Sequence, residues 1–212
     1  MGAENDMNTM NREAATVRVR SRAGAGRSRK GRTLLLALAA AVGIYVLLEV
    51  KMIERLLPVE WFREVAPVTG LHPVVAEKRD RLVAQSKALG IDVVITDDFR
   101  STEEQNALYR QGRGDKGAIV TQVKGGGSYH NYGLAIDFAL RIPGGDVIWD
   151  LKYDGNGNGK SDWMEVVSIA KKLGFSWGGD WKSFPDYPHL QMDFGYSIGE
   201  LQRGWRPPLQ PE

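Results

Sequence analysis

At 212 residues the chain has room for one ordinary globular domain plus an appendage. Its 42% apolar and 25% charged content excludes a wholly disordered or wholly membrane-embedded protein, and the lack of cysteine excludes a disulfide framework or a thiolate metal site. The formal charge of +2 hides an asymmetry, because residues 1–50 carry Arg12, Arg18, Arg20, Arg22, Arg27, Arg29, Lys30 and Arg32 against four acids, leaving 20 bases and 22 acids beyond. With no basic cluster on the domain itself, nucleic acid is not an expected partner.

Residues 1–32 are polar and basic and read as a disordered cytoplasmic arm. Residues 33–50 are almost wholly apolar and just long enough to cross a hydrocarbon core, so a transmembrane anchor is expected there. The bases upstream predict a cytoplasmic N-terminus and a single-pass protein whose remainder lies outside the membrane, on the cell-wall side. The alternative is a cleaved signal peptide. The run ends in Glu49-Val50-Lys51-Met52, which offers no small-residue cleavage site. Residues 51–70, broken by Pro58 and Pro67, read as a linker or stalk, and residues 71–208 as the domain.

Within the domain, His72-Pro73 opens a helix to about Leu89, with Val74, Val75, Leu82 and Val83 as core candidates and Gly90 as its stop. His72 itself is read as structural. Residues 91–96 are strand-like, and Ser101 caps a short helix to Tyr109. Strands are expected at 118–123, 134–140, 146–151 and 189–193, a flexible loop at 125–127, and a helix at 163–173 ended by Gly174. Helices and strands mix without βαβ alternation, which points to an α+β domain with a mainly antiparallel sheet.

The informative stretch runs from Ser128 to Asp137. Leu134, Ile136 and Phe138 alternate with Ala135, Asp137 and Ala139, so a carboxylate sits between two alanines on a face with room for an ion. His130 is seven residues from Asp137 and would face the opposite way on an unbroken strand; Gly133 allows a turn that brings both to one ion. His189, after Pro188, supplies a third ligand. Two imidazoles and a carboxylate with a fourth position left to water is a catalytic zinc arrangement. Asp186 lies close enough to His189 to act as general base on that water. A lone histidine is usually a solvated or hydrogen-bonded side chain, and that bland alternative stays open on spacing alone.

Ser128-x-His130-x-x-Gly133-x-Ala135-x-Asp137 resembles the signature of the LAS-type zinc peptidases, which include VanY-type D-alanyl-D-alanine carboxypeptidases and L-alanyl-D-glutamate endopeptidases. Phe99-Arg100-Ser101 with Glu104-Gln105-Asn106 and Leu108-Tyr109, and Asp186-Tyr187-Pro188-His189, are similar to the family's other motifs. The resemblance implies a single hedgehog/DD-peptidase-like domain, zinc on His130, Asp137 and His189, and Asp186 as acid/base. It further implies Arg100 on the oxyanion, Ser128 and Gln105 as substrate contacts, and peptidoglycan stem peptides as substrate. Asp186 in place of the carboxypeptidases' Glu, together with the runs Tyr109-Arg110-Gln111-Gly112-Arg113 and Trp177-Gly178-Gly179-Asp180-Trp181, resembles the endopeptidase branch. A D-alanyl-D-alanine carboxypeptidase and a non-catalytic wall-binding protein on the same fold are the alternatives.

A second ion is also suggested. Asp154, Asn156, Asn158, the Lys160 carbonyl, Asp162 and Glu165 match the twelve-residue calcium loop D-x-[DN]-x-[DN]-G-x5-E, although a strand and not a helix is expected before it. The competing reading is an Asn/Gly-rich turn capped by Asp162.

Overall fold

The computed structural model describes residues 29–61 and 64–210, so most of the expected basic arm lies outside the described residues. Helix α1 (Arg29–Glu54) contains the apolar run. Among the described residues it is the one helix long and apolar enough to cross a membrane, over Thr33–Glu54.

The remainder comprises α2 (Pro73–Ala88), β1 (Val93–Asp97), α3 (Thr102–Arg110), β2 (Ala135–Arg141), β3 (Val147–Ile148), α4 (Asp162–Lys172), β4 (Ser176–Trp177), β5 (His189–Gln191) and α5 (Ile198–Gln202), with 3-10 turns at Val59–Trp61, Tyr129–Tyr132 and Gly178–Asp180. Among the described residues all four strand pairings are antiparallel, in the order β1-β2-β5-β4, with β3 also on β2. The domain is therefore α+β with an antiparallel sheet, as expected.

β2 is the central strand because its alternation serves two surfaces. Leu134, Ile136, Phe138 and Leu140 are fully buried against α2 and α4. Phe138 and Trp163 of α4 stack with ring centroids 4.4 Å apart, and both are 0% exposed. Truncating either aromatic would cost about 3–5 kcal/mol. Ala135 and Ala139 face the other way, flanking Asp137.

Two expected strands change. Residues 118–123 do not pair: the Val123 carbonyl accepts from Gln105 Nε2 at 2.9 Å and the Thr121 carbonyl from Arg113 at 2.9 Å, so side chains satisfy that backbone. The strand at 146–151 shrinks to β3, because β5 occupies the rest of the same edge of β2. The 51–70 segment is not a free stalk throughout. Val59 is 2% exposed, its N–H donates to Arg203 O at 2.7 Å, and Trp205 donates to Leu57 O at 3.3 Å.

His72 proves structural. It caps α2, accepting from Val74 N at Nδ1 (3.3 Å), while Nε2 donates to Pro208 O (3.0 Å). This pattern requires the neutral ring, and burial lowers its pKa from 6.5, against the smaller raising effect of the Pro208 carbonyl. The unfolded chain therefore takes up the proton more readily, and stability is complete above about pH 6.5 and falls as pH drops below it. The Tm of the full chain in detergent should decline between pH 7.5 and 5.5, and His72→Asn, which can still cap, should flatten that decline; an unchanged slope in the variant would refute the assignment.

Candidate metal centre

Strand register builds most of the site. Asp97 of β1 lies opposite Asp137 of β2, and Asp137 opposite His189 of β5. Directly opposed residues share a face of an antiparallel sheet, so one row across three strands carries all three. His130 reaches the row from the turn Tyr129–Tyr132. Ser128 caps that turn, its Oγ accepting from His130 N at 3.3 Å. Gly133 ends the turn at φ +65°, where a Cβ would lie 2.2 Å from Gly70 O, so only glycine fits this reversal. Asn131 ties the turn down, donating to the carbonyls of Arg100 (2.8 Å) and Ser101 (3.2 Å) and accepting from Gly126 N (2.9 Å) and Ser128 N (3.2 Å).

His130 Nε2 lies 3.2 Å from His189 Nδ1, and Asp137 Oδ1 lies 3.3 Å from each. The opposite ring nitrogens settle what those atoms carry. His130 Nδ1 donates to Asp98 O at 2.6 Å, and His189 Nε2 donates to Gln191 Oε1 at 3.0 Å. In the neutral rings the facing nitrogens therefore carry lone pairs, and Asp137 Oδ1 is buried without a hydrogen bond of proper geometry. Three acceptors converge on a point with nothing to accept from. A tetrahedral ion with bonds of about 2.0–2.2 Å sets its ligand atoms about 3.3–3.6 Å apart, close to the observed spacing. These three residues offer a metal-ligand set among the described residues.

The electrostatics agree. Burial would lower the His130 pKa, but contact with Asp137 and the Asp98 carbonyl reverse this and raise it. Burial would raise Asp137, yet the two imidazoles outweigh it and hold the carboxyl far below the usual range. Both shifts express a demand for positive charge.

Arg100 sits beside the cluster, its Nη2 3.9 Å from Asp137 Oδ2. Its guanidinium is oriented by Asp97 through Nε (3.0 Å) and Nη2, and by Gln105 Oε1 through Nη1 (2.8 Å). Gln105 does not face substrate as expected. It is fully buried, with its amide also spent on Thr121 Oγ1 and Val123 O, and so positions Arg100. Asp186 lines the same groove as the cluster, and Gly178 lets its loop approach, since a Cβ there would meet Asp186 O at 2.4 Å. Burial and then the Asp137 charge raise the Asp186 pKa, opposed by His189, His130 and Arg100. The groove, about 620 Å³, is walled by Val120, Thr121, Ser128, Trp181, Phe184 and Ile198. None of Asp154, Asn156, Asn158, Lys160, Asp162 or Glu165 lines it.

Sequence reasoning missed Asp97, Gln191 and the Asp98 carbonyl, and used Trp181 only as a mark of the endopeptidase branch. Gln191 carried a signal, being two residues from His189 on the same face of a strand.

The chain is 64% identical over 124 residues to the peptidoglycan L-alanyl-D-glutamate endopeptidase CwlK of Bacillus subtilis (strain 168), covering 58% of this chain and 74% of that protein. It belongs to the LAS-type peptidase family. A family profile described as D-alanyl-D-alanine carboxypeptidase matches residues 121–192, which hold His130, Asp137, Asp186 and His189. The L-alanyl-D-glutamate peptidase of Listeria phage A118 is 34% identical over 143 residues, covering 67% of this chain and 45% of that one. The solved L-Ala D-Glu endopeptidase ChiX of Serratia marcescens aligns with a TM-score of 0.41 and 25% identity, over 59% of this chain and 82% of that one. The LAS-type peptidases are metallopeptidases of peptidoglycan, and the acceptor cluster is where this member can hold a metal ion.

If Gln191 fixes the His189 tautomer, Gln191→Leu should weaken divalent-metal affinity about 10–100-fold, measured by competition with a chromogenic chelator. Wild-type affinity in that variant would remove Gln191 from the account.

Proposed function

We propose that this protein is a membrane-anchored zinc endopeptidase that hydrolyses the L-alanyl-D-glutamate bond of peptidoglycan stem peptides. The observation that carries the reading is the convergence of two imidazole lone pairs and a carboxylate oxygen at 3.2–3.3 Å, each imidazole fixed by an oxygen behind it. His130, Asp137 and His189 would hold the ion. Calcium, by contrast, has no place in this nitrogen-rich set, since it takes oxygen ligands.

When bound, zinc supplies a Lewis acid and lowers the pKa of a water in its open position towards 7. The chain's own groups do the rest. Asp186, its carboxyl raised by burial and by Asp137, takes a proton from the attacking water and passes it to the leaving amine nitrogen. Arg100, clamped by Asp97 and Gln105, presents its remaining N–H groups to the scissile carbonyl oxygen as negative charge builds there. Because the guanidinium is already oriented, little reorganisation opposes that step. Ser128, on the groove wall, would meet the stem-peptide backbone.

The choice of bond rests on the kinship with endopeptidases, supported by the match to CwlK. The carboxypeptidase description of the family profile keeps terminal D-alanine removal as the second reading. The apolar helix over Thr33–Glu54 supports an anchor in the cytoplasmic membrane, with the preceding bases inside and the peptidase domain facing the wall.

Muropeptides incubated with the zinc-loaded full chain in detergent, and analysed by mass spectrometry, should release fragments cut after L-alanine. Asp186→Ala should lower kcat about 10²–10⁴-fold while leaving zinc bound. Loss of a terminal D-alanine alone would favour the second reading, and no cleavage of either bond would contradict both.

A further inference from the structure

The turn leading into α4 lies away from the groove and has a chemistry of its own. Asp154, Asn156, Asn158 and Glu165 are drawn together there. Asn158 N donates to Asp154 Oδ1 (3.1 Å) and Asn156 Oδ1 (3.1 Å), and the Asn158 amide reaches both oxygens of Glu165 (3.0 and 2.9 Å). Asn156 also reaches Glu165, at 3.1 Å. Such bonds occur in any Asx-rich turn and by themselves indicate no ligand.

Asp162 is different. It is 3% exposed, and its carboxylate is turned into the loop, where Oδ2 accepts from Gly155 N at 3.0 Å. Oδ1 is buried with no donor at all. A buried carboxylate oxygen without a partner is costly unless a cation meets it. None is supplied by the chain: among the described residues, Asp154, Asp162 and Glu165 form no ion pair with lysine or arginine. Lys160, the base within the loop, is exposed. The dipole of α4 favours Asp162 and Glu165 in its first turn. It gives Oδ1 no donor, however, whereas both oxygens of Asp154 are met by the turn itself, from Asn158 N and Gly159 N (2.9 Å).

We infer that this loop is a calcium site, with oxygen ligands from Asp154, Asn156, Asn158, the Lys160 carbonyl and Glu165, and Asp162 at the ninth position. The donors are all oxygen, and the set is large, anionic and built on a glycine-rich turn, which suits calcium over magnesium with its strict octahedral demand. The loop holds the N-terminus of α4, where the next residue, Trp163, stacks on Phe138 beside Asp137. An ion here therefore braces the helix behind the strand that carries Asp137. It takes no part in the reaction.

The test uses the full chain in detergent, in calcium-free buffer, with and without 10 mM calcium or magnesium. Calcium should raise the Tm by about 3–10 °C, and magnesium should do far less. Terbium should bind the loop and luminesce through Trp163, with calcium displacing it. Glu165→Gln and Asp154→Asn, the latter at an exposed position, should both abolish the calcium shift, with folding checked by circular dichroism. His130→Ala should retain it, which separates this site from the zinc centre. No shift at 10 mM calcium, an equal shift with magnesium, or a shift surviving in both loop variants would overturn the inference.

Discussion

Acceptor atoms repel one another, and this domain uses paired strands and a capped turn to hold three of them together. The row Asp97–Asp137–His189 is a consequence of strand register, and a one-residue slip of β5 against β2 would turn His189 to the other face. Register is pinned by the apolar side of β2, where Leu134, Ile136, Phe138 and Leu140 cannot move without opening the core. The site is thus stabilised from behind, by packing that never touches substrate. His130 is the exception, delivered by a capped turn whose terminal glycine lies against residue 70.

A ring of second contacts gives the cluster its chemical character. The Asp98 carbonyl and Gln191 decide which imidazole nitrogens face inward, and Asp97 with Gln105 decides where the Arg100 guanidinium points. These partners turn a flexible set of polar side chains into one with fixed orientation. Asp186 stands apart from this rigidity, on a loop admitted by Gly178, with a carboxyl that burial and neighbouring charge keep easier to protonate than usual. A group that must accept and release a proton is better served by that environment than by a tight ion pair.

Much of this was legible in the residues. The alternation around Asp137 marked β2 and its two faces, and Gly133 marked the turn that reunites His130 with it. Ser101 capped α3 as read, with Glu104 completing the capping box. What escaped was non-local. Residues 118–123 have strand-forming side chains but meet Gln105 and Arg113 instead of a sheet edge, and β propensity yields to such context. β4 is two residues long and carries no periodicity to read. Gln105 was placed in the groove because it neighbours the arginine motif, yet on α3 it points inward, to the back of the guanidinium. Asp97 could be recognised only once the pairing of β1 with β2 was known.

The central claim is that His130, Asp137 and His189 share one zinc ion through Nε2, an aspartate oxygen and Nδ1. X-ray absorption at the zinc edge of the full chain reads that environment directly. The account predicts one zinc per chain with two imidazoles and only oxygen otherwise in its shell, and loss of the ion in His189→Ala. A shell with one imidazole or none, or an undiminished signal in that variant, would contradict it.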